Sequence, residues 1–299
     1  MFFRALIATD SSTASTALVG RGAALRQLGV RECVLAQCFS IQEHVAFPDQ
    51  IKAHIESTLS QQKEILEAQG VQTTIVVESG LPSVEIPSIA EERDCSLIVV
   101  GSHRHNFASE ILLGEMGGDL VHRATKSLLI VRLTQNEDAG RIECEGEGCD
   151  FRGHILFPTD FSDHAERAFA CVRELVRRGT RRVTLLHIQS KASLGKHLAS
   201  RLEEFNRIDR ERLERLRDQL MEVGDVEVEL DIPYGSPTEE ILKRSRKDSA
   251  SLVVMGTHGR GFVSELFLGS VSHNVARHSM APVLLIPVNE RTAILSEMG

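Results

Sequence analysis

The chain has 299 residues, room for two domains, and 42% of them are hydrophobic, an ordinary value for a globular protein. Its formal net charge of −8 argues against a nucleic-acid binder held by phosphate contacts. No apolar run approaches a membrane span, and the six cysteines form no regular framework, so the expectation is a cytoplasmic protein with reduced thiols.

In chain order, Met1-Phe-Phe-Arg-Ala-Leu-Ile-Ala8 is too short an apolar run for a signal peptide and reads as a buried first strand, followed by Thr9 and Asp10. Strands and helices alternate from Ala5 to Leu133, with Leu97–Val100 running into Gly101-Ser102-His103 and Leu128–Leu133 closing the region. Residues 134–152 are acidic, Gly-rich and without apolar periodicity, which predicts a linker. Cys144 and Cys149 in it are a weak metal or redox pair, because no two further ligands lie nearby in sequence.

His154–Pro158 then reads as a strand and Thr159-Asp160-Phe161 as a loop. Ser162 or Asp163 can cap a helix to about Arg178, with Glu166 three residues after Asp163 as in a capping box. Val183–Ile188 is a second strand. A long helix follows, with Leu202, Phe205, Leu213, Leu216, Leu220 and Val223 at helical spacing and a solvated Arg/Glu-rich remainder. Val226, Val228, Leu230 and Ile232 alternate with acids, as in a strand with one buried face. Gly235-Ser-Pro237 opens a helix, Ser251–Met255 is a strand, Ser270 to about His278 a helix, and Val283–Val288 the last strand. This alternation predicts an α/β protein of two tandem Rossmann-like domains, residues 1–133 and 153–288, with a tail at 289–299. Each is a three-layer α/β/α sandwich on a five-stranded parallel sheet.

The two regions are copies. At an offset of 155 residues Gly80, Pro82, Glu85, Ile86, Leu97, Val99, Gly101, His103 and Gly114 each meet an identical residue. At an offset of 150, Thr9, Asp10 and Ser12 meet Thr159, Asp160 and Ser162. Identities clustered at turns and loops mark an internal duplication.

The second copy carries the most informative stretch. Leu252–Met255 runs into Gly256-Thr257-His258-Gly259, and nine residues later comes Gly269-Ser270. A buried strand leading through a Gly-rich loop to a helix start suits phosphate, because backbone N–H groups converge there and the helix end adds partial positive charge. It is not a Walker loop: the only Gly-Lys pair, Gly195-Lys196, is followed by His and has Ser190 five residues before Gly195. Gly259-Arg260-Gly261 lacks the third glycine of a dinucleotide fingerprint.

These residues resemble the universal stress protein family in its tandem two-domain form. The family's ATP-binding members carry G-x2-G-x9-G-[S/T], and Gly256, Gly259, Gly269 and Ser270 match each fixed position. Phe157-Pro-Thr-Asp-Phe-Ser162, Leu185-Leu-His-Ile188, Gly235-x-Pro237 and Ala281-Pro-Val-Leu-Leu-Ile286 are similar as well, so the resemblance spans nearly all but the linker and tail. It implies an ATP site of Pro158, Thr159, Asp160, Ile188, Met255, Gly256, His258, Gly259, Gly269, Ser270, Val271 and Ser272. Asp160 would accept from ribose hydroxyls or adenine. Ile188 would line the base pocket and offer its main chain to the base edge. Met255, Gly256 and Gly259 would place amides under the phosphates, and Ser270, Val271 and Ser272 would meet them with amides and hydroxyls. Mg²⁺ or Mn²⁺ would bridge phosphate oxygens, without protein side-chain ligands. Plainer roles stay open: Asp160 as an acid at a helix start, Ser270 and Ser272 as caps, Gly256 as a turn glycine, and His187 and His258 as local hydrogen-bonding groups.

The first copy departs from this pattern. Asp10, Gly101 and Gly114 remain, but Arg104 replaces the second glycine and Glu115 the serine. Glu115 facing a triphosphate at roughly 4 Å, with an effective dielectric near 20, would cost about 4 kcal/mol, or about a thousandfold in affinity. The resulting expectation is a regulatory or stress-response protein that binds ATP in its second domain. A slow ATPase or nucleotidyl-transfer enzyme is the alternative, and a ligand-free scaffold a third class. The downstream protein is unknown. The resemblance also implies that the two domains pair as a pseudo-dimer through Leu128–Leu133 and Val283–Val288, with pairing of whole chains ranked second.

Overall fold

Apolar runs without alternation belong in strands buried on both faces, and such runs form the centre of each sheet. The computed structural model describes residues 1–10, 12–39, 48–103, 125–136, 141–144, 150–189, 202–258 and 269–287. The chain divides into two units, residues 1–149 and 150–288. No helix among the described residues is long and apolar enough to cross a membrane.

The first unit comprises β1 (Arg4–Ala8), α1 (Thr13–Val19), α2 (Gly22–Gln27), β2 (Glu32–Phe39), α3 (Pro48–Ala68), β3 (Gln72–Ser79), α4 (Pro82–Glu92), β4 (Leu97–His103), β5 (Ser127–Asn136) and β6 (Arg141–Cys144). Strands β3-β2-β1-β4-β5 pair in that order, all parallel. The second unit comprises β7 (His154–Pro158), α5 (Asp163–Arg177), β8 (Arg182–Leu186), α6 (Leu202–Met221), β9 (Glu227–Asp231), α7 (Pro237–Lys247), β10 (Leu252–Gly256), α8 (Ser270–His278) and β11 (Val283–Ile286). Its sheet runs β11-β10-β7-β8-β9, again parallel. Every residue of β7 and β10 is buried, whereas no residue of the edge strand β9 is.

Three features differ from the sequence reading. Part of the stretch assigned to a linker is strand: β5 continues to Asn136, and β6 returns antiparallel to it, Asn136 opposite Arg141 and Leu133 opposite Cys144. The first sheet therefore has a sixth strand, which acidic and Gly-rich composition concealed. In the first unit the first helix is split into α1 and α2, where the second unit has the unbroken α5. Gly20 and Gly22 fall at the break, opposite Ala170 and Val172 by the repeat offset, and glycine is a poor helix former. Strands β8 and β11 end at Leu186 and Ile286, two residues short of the expected ends.

α5 shows how pattern becomes packing. Ser162 Oγ accepts from the Ala165 N–H at 3.3 Å and caps the helix, while Asp163 and Glu166 favour its positive end. Ala165, Ala168, Phe169, Val172, Leu175 and Val176 line the buried face. Each fully buried Leu, Val or Phe side chain contributes roughly 1.5–3 kcal/mol.

Candidate functional site

In the second sheet the chain leaves β7 for β8 on one side, while β10 lies on the other. The carboxyl ends of β7 and β10 thus flank the topological switch point, where open α/β sheets bind ligands. A cavity of about 430 Å³ lies there, within the roughly 300–1,000 Å³ of small-molecule sites. From β7 and the loop after it come Pro158, Thr159 and Asp160; from just past β8, Ile188. The end of β10 supplies Met255, Gly256 and His258. The N-terminus of α8 supplies Gly269, Ser270, Val271 and Ser272. The cavity thus collects every implied site residue among the described ones; Gly259 lies outside them.

Three apolar lining residues were not in the implied set: Ala165 on α5, and Pro237 and Ile241 on α7. Pro237 and Ile241 had a signal, since Pro82 and Ile86 repeat them in the first copy. They place an apolar wall near Ile188. The polar part of the lining includes the start of α8. Its N-cap is Gly269, and no side chain caps the helix. Ser270 and Ser272 are therefore not N-caps. The first-turn amides of Ser270, Val271 and Ser272 precede the first intrahelical bond, from the His273 N–H to the Gly269 carbonyl at 2.9 Å. Such an end suits an anion.

Gly256 stands where α5 approaches β10 closely. A Cβ there would stand 3.0 Å from the His164 carbonyl oxygen, in the first turn of α5. The Ser272 hydroxyl, buried, donates to the Gly256 carbonyl at 2.9 Å and ties α8 to β10. Its proton is thus directed at the Gly256 carbonyl. The Gly269 N–H donates to the Thr257 carbonyl at 2.9 Å, which ties the start of α8 to the end of β10.

The Asp160 loop is held from several sides. Asp160 Oδ1 accepts from the Ser162 N–H at 3.1 Å and the Ser162 hydroxyl at 2.6 Å. Phe161 sits at φ 58°, a left-handed conformation that costs a non-glycine residue of order 1–3 kcal/mol. It is kept there by its N–H bond to Thr159 Oγ1 at 3.0 Å and by its ring, 4.6 Å from the His187 ring and 5.2 Å from the Arg212 guanidinium. His187 Nδ1 donates to the Thr159 carbonyl at 2.8 Å, and its Nε2 lies 3.4 Å from Asp209 on α6. Nothing in the spacing pointed to this brace, because it joins three separate elements.

At the first unit's equivalent loop, the Thr9 N–H donates to the Ala36 carbonyl just as that of Thr159 does to Leu186. Asp10 differs in its surroundings. Its Oδ1 accepts from the Ser12 N–H at 3.0 Å and from the Ser15 hydroxyl at 2.5 Å. Burial pushes the Asp10 carboxyl up, but the bonds from Ser12 and Ser15 outweigh it and hold it below the usual value. Cys38 stands at the position of Ile188, its thiol pushed up to about 12 by burial, then by Glu85 and Glu78. Gly101 ends against Leu133. Arg104, Gly114 and Glu115 lie outside the described residues. Among the described residues no three His, Cys, Asp or Glu side chains group to hold a metal.

A family profile described as the universal stress protein family matches residues 1–132 and 152–287. The chain belongs to the universal stress protein family. A universal stress protein of Methanocaldococcus jannaschii is 32% identical over 151 residues, covering 44% of this chain and 93% of that protein. One from Thermus aquaticus is 36% identical over 135 residues, covering 44% of this chain and 96% of its own length. The crystal structure of a universal stress protein from Archaeoglobus fulgidus superposes with a TM-score of 0.73 at 22% identity, covering 95% of this chain and 98% of that one, a likeness of fold. Two universal stress domains in tandem thus account for nearly the whole chain.

Proposed function

We propose that the second unit of this universal stress protein binds ATP and that the protein acts as a nucleotide-responsive regulator. One observation carries the reading: an apolar wall, a loop carboxylate and an uncapped helix N-terminus line the same cavity. Adenine suits the wall of Ile188, Pro237 and Ile241, ribose hydroxyls suit Asp160, and phosphates suit the amides of Ser270, Val271 and Ser272. The uncapped helix favours a polyphosphate over adenosine or a cyclic monophosphate. Mg²⁺ or Mn²⁺ would be held by phosphate oxygens and water.

The reading includes little or no catalysis. The Ser272 hydroxyl donates to the Gly256 carbonyl, and apart from His258 the sequence places no plausible general base beside the phosphate loop. Mass spectrometry of nucleotide released from freshly purified protein tests both points. Retained ATP supports the regulator. Retained ADP, with turnover near the enzyme median of about 10 s⁻¹ that Ser270→Ala abolishes, supports the enzyme instead. No nucleotide, and none bound in titration, supports the scaffold.

A further inference from the structure

Beside the phosphate-suited end of the cavity stand two imidazoles that no motif position assigns to each other. His164 is in the first turn of α5, and its main chain abuts Gly256. His258 follows β10 and lines the cavity. Their ring centroids are 5.5 Å apart at an interplanar angle of 46°. His258 Nδ1 is 2.9 Å from Thr257 Oγ1, while His164 Nδ1 is buried without a hydrogen-bond partner among the described residues. A buried ring nitrogen without a partner is costly, so its retention beside a binding cavity asks for a reason.

We propose that His164 and His258 form a proton-linked phosphate-recognition pair, in which one imidazole gains a proton as the nucleotide's phosphates enter. This rests on the nucleotide-binding reading above and extends it to how the site senses its ligand's charge. The groups facing His164 set the resting state. Burial first, and then His258 and Arg167, hold His164 below the usual histidine value, against the pull of Asp160 and Asp163. At neutral pH the empty site therefore keeps His164 uncharged. A polyphosphate at the start of α8 brings several negative charges and reverses that balance, because a nearby anion favours the protonated ring. The sign follows from linkage: whatever raises an imidazole's proton affinity on binding must itself bind more tightly as pH falls. Acidification through the histidine range then strengthens nucleotide binding, which makes the site a joint reporter of nucleotide and protons.

The test is calorimetric titration of the full chain with Mg-ATP between about pH 6 and pH 8, in buffers of different ionisation heat. Native protein should take up as much as one proton on binding, and its affinity should rise by up to about tenfold per unit fall in pH. His164→Asn and His258→Asn should each lose most of that slope. The ligand's own titration is common to all three proteins and cancels in the difference. Adenosine should bind without proton uptake. Should the variants fail to fold, the His164 Cε1–H resonance of native protein gives the same answer, since its titration should move to higher pH with Mg-ATP present. Identical pH slopes in native protein and variants, or a His164 titration that Mg-ATP leaves in place, would overturn this inference while leaving ATP binding standing. Absence of Mg-ATP binding at every pH would overturn both.

Discussion

Asp10 and Asp160 occupy the same place in two copies of one fold, and one difference beside them is Ser15 in the first unit where the second has Ala165. In the first unit Ser15 reaches Asp10 at 2.5 Å and supplies from within the protein a hydrogen bond that a ligand hydroxyl could give. In the second unit Ala165 stands at that position and lines the cavity instead. The other changes point the same way: Cys38 for Ile188, Arg104 for Gly259 and Glu115 for Ser270. A duplicated domain can keep its strands, its helix starts and its loop acid while the groups that face a ligand turn inward or change charge. Fold is held by the buried runs, and binding by a handful of loop positions that can drift independently.

Carrying first-unit residues into the second breaks the comparison most severely. Ser270→Glu, which copies Glu115, should weaken Mg-ATP binding about a thousandfold, the roughly 4 kcal/mol of one close repulsion at an effective dielectric near 20. Gly259→Arg should abolish binding. Near-native affinity in either variant would sever the link between these departures and loss of function. The glycines give the next effect. At Gly256 a Cβ meets the His164 backbone at 3.0 Å, while at Gly101 it meets the tip of Leu133 at 3.0 Å, which can move aside. Gly256→Ala should cost the second unit about 1–3 kcal/mol in denaturant unfolding, and Gly101→Ala should cost the first unit less. Equal losses would show that the close approach of α5 to β10 is not specially tight.

A smaller effect is expected from Ala165→Ser, which restores the hydroxyl of Ser15. It should hydrogen-bond Asp160, compete with the ligand and lower ATP affinity about fivefold, as one hydrogen bond of about 1 kcal/mol would. Unchanged affinity would remove Asp160 from ligand contact. The gentlest contrast is in acid. At the foot of the first sheet Arg4 pairs with Glu32, whereas the repeat places His154 beside Arg182, 3.0 Å away, in the second. Burial first, with Arg182 and Arg244, holds His154 below its ordinary value despite its bond to the Asp248 carbonyl. The unfolded chain therefore binds this proton more readily. The contribution is intact above about pH 6.5 and is lost as pH falls from there toward the folded value. His154→Gln should flatten that decline in the unfolding of the second unit, and an unchanged decline would assign it to other groups.

Much of this was legible in the sequence, for identifiable reasons. Gly256, Gly269, Ser270 and Asp160 are polar or special residues at fixed distances from strand ends, and strand ends set where they converge. Ala165, Pro237 and Ile241 line the same cavity but resemble any buried residue, so chemistry alone does not single them out. The commitment of the Ser272 hydroxyl to Gly256 depends on a closure across 16 residues, invisible to local pattern. β6 was hidden because Arg141-Ile-Glu-Cys144 sits among acids and glycines, and pairing with β5, rather than its own periodicity, makes it a strand.

The central claim is that one unit binds nucleotide and the other does not. Calorimetric titration of the full chain with Mg-ATP, repeated on Gly259→Arg and on Asp10→Asn, tests it most directly. The expected stoichiometry is near one, lost in Gly259→Arg and kept in Asp10→Asn. Two equivalent sites per chain, or a single site that survives Gly259→Arg, would contradict it.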